Sequence, residues 1–206
     1  TRDYFSRQRL SFCARQLKSR GVVPRLVLDY GCGDGSSTPD FLATFPSATL
    51  VGVDVSDRSL EQARKRYGSS MSSFYQVAAH EVDGELDFAY ANGIFHHIVP
   101  AERKQAARWI FRALGPGGWF AFWENNPWSP AARYVMSRIP FDRDAIMVWP
   151  AKARALLRSV GFRVVRTDYL FVFPRSLKFL RWLEAPLGKV PIGAQYLVLC
   201  QKPEGT

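Results

Sequence analysis

Gly31, Gly33 and Gly35 alternate along a short loop, and Asp29 stands just before it. Without a Cβ, a backbone can turn tightly and approach a ligand closely. The stretch Val27-Leu28-Asp29-Tyr30-Gly31-Cys32-Gly33-Asp34-Gly35-Ser36 reads as a strand, a glycine loop and the start of a helix. The helix adds the unpaired amides of its first turn. Roughly 20 residues further on, a second apolar run ends in Val53-Asp54, where a carboxylate can accept both hydroxyls of a ribose. Glycine loop and acid together imply an adenosine-containing cofactor. The dinucleotide fingerprint is GxGxxG, whose last glycine packs helix against strand. Here Ser36 and Ser37 follow Gly35 instead. Asp29, projecting from a strand end, suits an ammonium group better than a pyrophosphate.

The elements that must position these residues follow from pattern and punctuation. Arg2 to Arg20 mixes Phe5, Leu10, Phe12, Cys13 and Leu17 with basic residues, as an amphipathic helix would, and Gly21 ends it. Strands are expected at 25–30, 49–53, 74–78, 86–91, 119–124, 162–173 and 194–201. Helices are expected from Ser36 or Ser37 to about Phe45, over 58–67 with Asp57 as cap, and over 100–114, 131–138, 151–160 and 176–183. Gly115 to Gly118 reads as a turn. Strands alternating with helices argue for a mostly parallel sheet, with ligands beyond the C-terminal strand ends.

Four segments carry a family resemblance. LDYGCGDG resembles the first motif of class I S-adenosylmethionine-dependent methyltransferases of the small-molecule branch, and VGVDVS the second-strand motif. LDFAYANGIFHHI and LGPGGWFAFWE resemble the fourth- and fifth-strand motifs. The resemblance covers Val27 to Glu124. It implies an α/β Rossmann-like fold whose seven-stranded sheet has the order 3-2-1-4-5-7-6, with the last strand antiparallel and helices on both faces. It also implies S-adenosylmethionine as cofactor. Asp29 would then face the methionine ammonium, and Gly31, Cys32, Gly33 and Gly35 would wrap methionine and ribose. Asp54 would bind the ribose hydroxyls, and Val55 would lie against the adenine. The family often sets an Asp after the third strand for the adenine amine; the candidates here are Ala79, His80 and Asp83. Asn92 and Gly93 would lie near the methionine end.

Methyl transfer from a sulfonium is an in-line displacement, and the protein's main task is alignment. A general base helps only if the acceptor must lose a proton. The candidates are His97, His96 and Glu124, all expected at the C-terminal sheet edge. Asn125, Asn126, Trp128 and Arg133, in a polar-aromatic stretch that continues through 140–144, are the candidates for touching the acceptor. Cys32 reads as a small filler of the loop rather than a nucleophile. An N/D-PP-Y/F motif is lacking, which disfavours amino groups of bases or glutamine as acceptors.

Composition bounds the rest. The 206 residues suit one domain, expected as an N-terminal helix over 1–24, a cofactor core over 25–124 and a substrate-side region over 125–206. Thr1 is not an initiating Met, so a preceding segment is expected. Three cysteines without CxxC spacing argue against a disulfide framework or zinc site, and no metal is expected. A cytoplasmic location is expected. The net charge of +10 is uneven. Residues 1–25 hold seven Lys or Arg and one acid, residues 26–132 eight and twelve, and residues 133–189 twelve and four. Charge alone favours an RNA methyltransferase, but an appended RNA-binding domain is lacking, so nucleic acid is not the expected partner. A small-molecule acceptor is expected, open to a phosphorylated or lipid-like one, with peripheral membrane contact through the basic C-terminal third as a further option. A non-methylating protein on the same fold is the remaining alternative.

Overall fold

The computed structural model describes residues 2–80, 84–139, 145–173 and 187–205. Seven strands form one sheet: β1 (Leu26–Tyr30), β2 (Thr49–Asp54), β3 (Ser72–Gln76), β4 (Leu86–Asn92), β5 (Leu114–Asn125), β6 (Arg163–Leu170) and β7 (Gln195–Gln201). Their order is β3-β2-β1-β4-β5-β7-β6. β1, β2 and β3 pair in parallel, and β7 runs antiparallel to both β5 and β6. The helices are α1 (Arg2–Lys18), α2 (Thr38–Thr44), α3 (Asp57–Tyr67), α4 (Arg103–Ala113), α5 (Pro130–Arg138) and α6 (Pro150–Ser159). The helix expected over 176–183, and the polar stretch over 140–144, lie outside the described residues.

The chain divides into two compact units. The first comprises residues 1–90 with 112–118, and the second 91–111 with 119–206. In the first, α1 buries Ser6, Leu10, Cys13 and Leu17, a spacing that makes one helical stripe. Arg7 bonds Asp40 of α2 at 2.7 Å, and Arg9 donates to the Tyr90 hydroxyl at 2.9 Å. Cys32, Leu60, Ala63 and Phe74 form a small core beneath the glycine loop. Gly52 faces that core. A Cβ there would lie 2.5 Å from the Phe74 ring and 3.0 Å from the Cys32 sulfur. Gly52→Ala is therefore expected to cost about 1–3 kcal/mol through overpacking, read by urea unfolding; an unchanged midpoint would contradict this packing.

In the second unit the sheet core is Phe120, Phe122, Trp123 and the run Tyr196 to Cys200. Phe162 packs between Phe111 and Phe120.

Several local expectations change. Ser56, not Asp57, caps α3, its hydroxyl accepting from the Ser59 amide. Asp57 is instead the first helical residue, where a carboxylate favours the helix dipole. Gly115 to Gly118 is not a separate turn but the opening of β5. A Cβ on Gly115 would meet the Gly84 carbonyl at 2.9 Å, and one on Gly118 the Leu86 carbonyl at 3.0 Å, so these glycines let backbones approach closely. β3 ends at Gln76 and passes into a 3-10 turn, Val77–Ala79.

Candidate active site

The glycine loop is built by hydrogen bonds from the end of β2. The Gly31 and Cys32 amides both donate to the Val53 carbonyl, at 2.7 and 3.0 Å. The Gly35 amide then reaches the Cys32 carbonyl, and the Thr38 amide the Gly35 carbonyl. Gly31, Gly33 and Gly35 all have positive φ, +79°, +55° and +73°, which L side chains resist. A Cβ on Gly33 would meet nothing within 4 Å, so this part of the loop faces open space.

Asp54 ends β2 and is partly exposed. Its Oδ2 accepts from the Gly33 amide at 2.8 Å and its Oδ1 from the Ser56 amide at 2.9 Å. A carboxylate has about four acceptor positions, so roughly two remain for a pair of hydroxyls. Val55, next in the chain, is 78% exposed, an apolar surface beside the acid. His80 stacks flat on Tyr75, with centroids 4.1 Å apart. Ala79 closes the 3-10 turn, and Asp83 lies outside the described residues.

Asp29 is the unusual group. It is buried on β1, and burial pushes its pKa up to about 7. Ser37, at the N-cap of α2, makes no capping bond; its hydroxyl donates to Asp29 at 2.9 Å instead. Asp29 itself has no ion pair among the described contacts; Arg9 acts on it as a nearby charge. A buried carboxylate left in this state is costly unless a cation joins it. Burial also raises the Cys32 thiol, which removes nucleophilic character and leaves it as loop filling.

In the second unit, Glu124 ends the buried part of β5 and is 1% exposed. Its Oε1 accepts from the amides of Phe95 and His96, at 2.8 and 3.3 Å. Its Oε2 lies 2.5 Å from His96 Nδ1. A carboxylate only accepts, so the ring proton sits on Nδ1. Glu124 thus pins the 93–97 loop, and direct contact of Glu124 or buried His96 with an acceptor is not what the geometry offers. His97 is partly exposed, its ring 4.1 Å from that of His96. Gly93 adopts φ +65° and donates to the Trp123 carbonyl. The Asn92 side-chain oxygen is buried and has no hydrogen-bond partner among the described residues.

The residues after β5 separate by burial. Asn125 accepts from the Gln195 amide at 3.1 Å. Asn126, expected to reach an acceptor, is fully buried; its amide donates to the Pro191 and Gly193 carbonyls and its oxygen accepts from the Trp128 amide. Both its amide hydrogens and its oxygen are engaged in holding the loop. Trp128 is half exposed, and Arg133 lies on an exposed part of α5. Arg133 borders an open depression of about 670 Å³ with Tyr134, Met136, Ser137, Ala145 and Met147. None of the glycine-loop residues lines that depression, and burial and geometry, not its size, point to the loop as the cofactor-side site.

Sequence reasoning did not single out Ser37 as a partner of Asp29, nor Arg103 and Tyr196. Arg103 donates to the carbonyls of Ile98 and Ile146, and the Tyr196 hydroxyl to that of Val148. Arg103 thus ties Ile146 to the 96–98 loop, and Tyr196 ties Val148 to β7. Only three-dimensional proximity reveals them, since both residues read as ordinary helix and strand positions.

A parallel-sheet core with an acid-flanked glycine loop and an antiparallel seventh strand defines the Rossmann-like methyltransferases. A family pattern described as "Methyltransferase domain" matches residues 27–118. An uncharacterized methyltransferase of Synechocystis sp. is 30% identical over 160 residues, covering 73% of each chain. A trans-aconitate 2-methyltransferase of Methylobacterium radiotolerans is 36% identical over 96 residues, 47% of this chain and 36% of that one. The crystal structure of a SAM-dependent methyltransferase from Archaeoglobus fulgidus superposes with a TM-score of 0.67 at 16% identity, covering 94% of both chains. The chain belongs to the class I S-adenosylmethionine-dependent methyltransferases, and its cofactor is S-adenosylmethionine. The matches to the first five trans-aconitate relatives span between 36% and 50% of their length.

The residues present fit this cofactor. Within the first unit, a buried carboxylate with a raised pKa and a strand-end acid with spare acceptor positions match an ammonium and a ribose diol.

Proposed function

We propose that this chain methylates an oxygen of a small, acidic organic acceptor by in-line displacement. The observation that carries the cofactor side is Asp29, a buried carboxylate with a raised pKa and a hydrogen bond from the Ser37 hydroxyl. Asp29 pairs with the methionine ammonium. Gly31, Cys32, Gly33 and Gly35 let the backbone wrap methionine and ribose. Asp54, held by the Gly33 and Ser56 amides, accepts the ribose hydroxyls. Val55, Ala79 and His80 border the adenine, and Asn92 and Gly93 the methionine end. S-adenosylmethionine supplies a methyl group on a sulfonium, already activated for displacement.

The acid preference rests on relatives named trans-aconitate 2-methyltransferase and on the positive charge of the chain. Arg133 is the side chain suited to a carboxylate, since its guanidinium can bind one in a two-pronged fashion. A carboxylate acceptor is ionised at neutral pH and needs no base. His97, presented by the His96–Glu124 pair, then orients the acceptor and excludes water rather than removing a proton. A hydroxyl acceptor would need His97 as base.

The test is release of S-adenosylhomocysteine with trans-aconitate, other polycarboxylates, phenols, sugars and polyprenyl phosphates. Turnover with a polycarboxylate is expected, with kcat falling by less than about tenfold in His97→Asn, short of the 10²–10⁴-fold typical for loss of a base. Turnover with phenols alone, abolished by His97→Asn, would overturn the acid reading.

A further inference from the structure

Trp128 and Trp149 are 50% and 42% exposed and meet edge to face, with ring centroids 5.5 Å apart. Large indoles left in water are costly and rarely gratuitous when they adjoin other apolar surface. The Asn126 side chain accepts from the Trp128 amide and donates to the Pro191 and Gly193 carbonyls, so the Trp128 loop is joined to a segment in which Val190 and Ile192 are 42% and 48% exposed. Tyr169 lies under Trp128 at 6.2 Å, and its amide donates to the Gly188 carbonyl, fixing the same segment. The two segments are thus held by hydrogen bonds, and the exposed side chains need no rearrangement to be presented.

Its charge is one-sided. Among the described residues of 126–139, 145–173 and 187–193, eight side chains are Lys or Arg and one, Asp168, is acidic. Asp168 is buried and paired with Arg166 and Lys189. No exposed acid opposes the cations among these residues. Lys152 is exposed one helical turn after Trp149, and Lys189 adjoins Val190.

We infer that this face, centred on Trp128 and Trp149 with Val190 and Ile192 beside them and Lys152 and Lys189 at its margin, seats the chain on an anionic phospholipid bilayer. Indoles favour the headgroup boundary, where an apolar ring and a polar N–H are both satisfied. Exposed aliphatic side chains enter the acyl boundary, and lysines meet the negative surface potential. Single-stranded nucleic acid fits less well. Stacking platforms present ring faces to successive bases, whereas these rings stand at 70° to each other and their neighbours are aliphatic. The inference goes beyond the proposed reaction and needs no turnover to be tested.

The full chain would be sedimented with vesicles of phosphatidylcholine containing about one-third phosphatidylglycerol, in low salt and in salt near 0.5 M, with tryptophan emission recorded. Binding with a blue-shifted emission is expected, reduced at least about tenfold by Trp128→Ala/Trp149→Ala and, separately, by Lys152→Glu/Lys189→Glu. Unchanged far-UV circular dichroism would show that the variants fold. Absence of sedimentation in low salt would overturn the inference. So would binding indifferent to the tryptophan pair, which is bulk charge alone, or binding to an oligoribonucleotide that these variants abolish while vesicles are ignored.

Discussion

Glu124→Ala is expected to cost about 3–5 kcal/mol of folding stability, because several buried donors lose one shared acceptor. The reason is arithmetic in donors. One carboxylate, 1% exposed, satisfies the Phe95 amide, the His96 amide and the His96 ring. Alanine removes this shared acceptor from a buried site, and each donor that loses it carries a desolvation cost. Glu124→Gln keeps an acceptor for the amides, so a smaller loss is expected from it. Urea unfolding measures both. A loss under about 1 kcal/mol for the alanine variant would show that the pair does not hold the 93–97 loop.

Affinity for S-adenosylhomocysteine is expected to fall roughly 20-fold between pH 7.5 and 5.5. The cause is Asp29, whose pKa burial raises to about 7, with Ser37 opposing that rise, Asp54 adding to it and Arg9 opposing it. An ammonium pairs with the ionised form, so below pH 7 binding must expel a proton. The sign for stability follows from the same shift. The folded protein keeps this proton where the unfolded chain, near pH 4, has already lost it. The unliganded protein therefore loses stability as pH rises from about 4 to about 7, and ligand restores it. Asp29→Asn should bind more weakly at pH 7.5 and show a flat pH profile. A wild-type profile already flat over this range would remove Asp29 from the ammonium site.

Much of this was legible in the sequence because the informative residues act locally. Three glycines with positive φ, a strand-end acid and alternating apolar runs fix the β1 loop and the first sheet strands without tertiary detail. Element bounds drifted where two residues compete for one task. Ser56 and Asp57 both suit a cap, and the backbone chose the serine. Gly115 to Gly118 reads as a turn by composition, yet the glycines serve close backbone packing within β5. The roles of polar residues were least legible. Asn126 and Glu124 look alike in sequence to groups that reach a substrate, but burial turns both into internal fasteners. Ser37 looks like a cap, but its hydroxyl turns to Asp29 because a buried carboxylate is the more demanding partner.

The most direct test of the cofactor site is calorimetric titration with S-adenosylhomocysteine at pH 7.5, intact chain against Asp54→Ala. Asp54 offers charge-assisted bonds to a ribose diol while anchoring Gly33, and losing such bonds is worth about 3 kcal/mol. Binding by the intact chain, weakened by about 100-fold in Asp54→Ala, is the predicted result. Equal binding by both proteins would contradict the placement of the cofactor between the glycine loop and the end of β2.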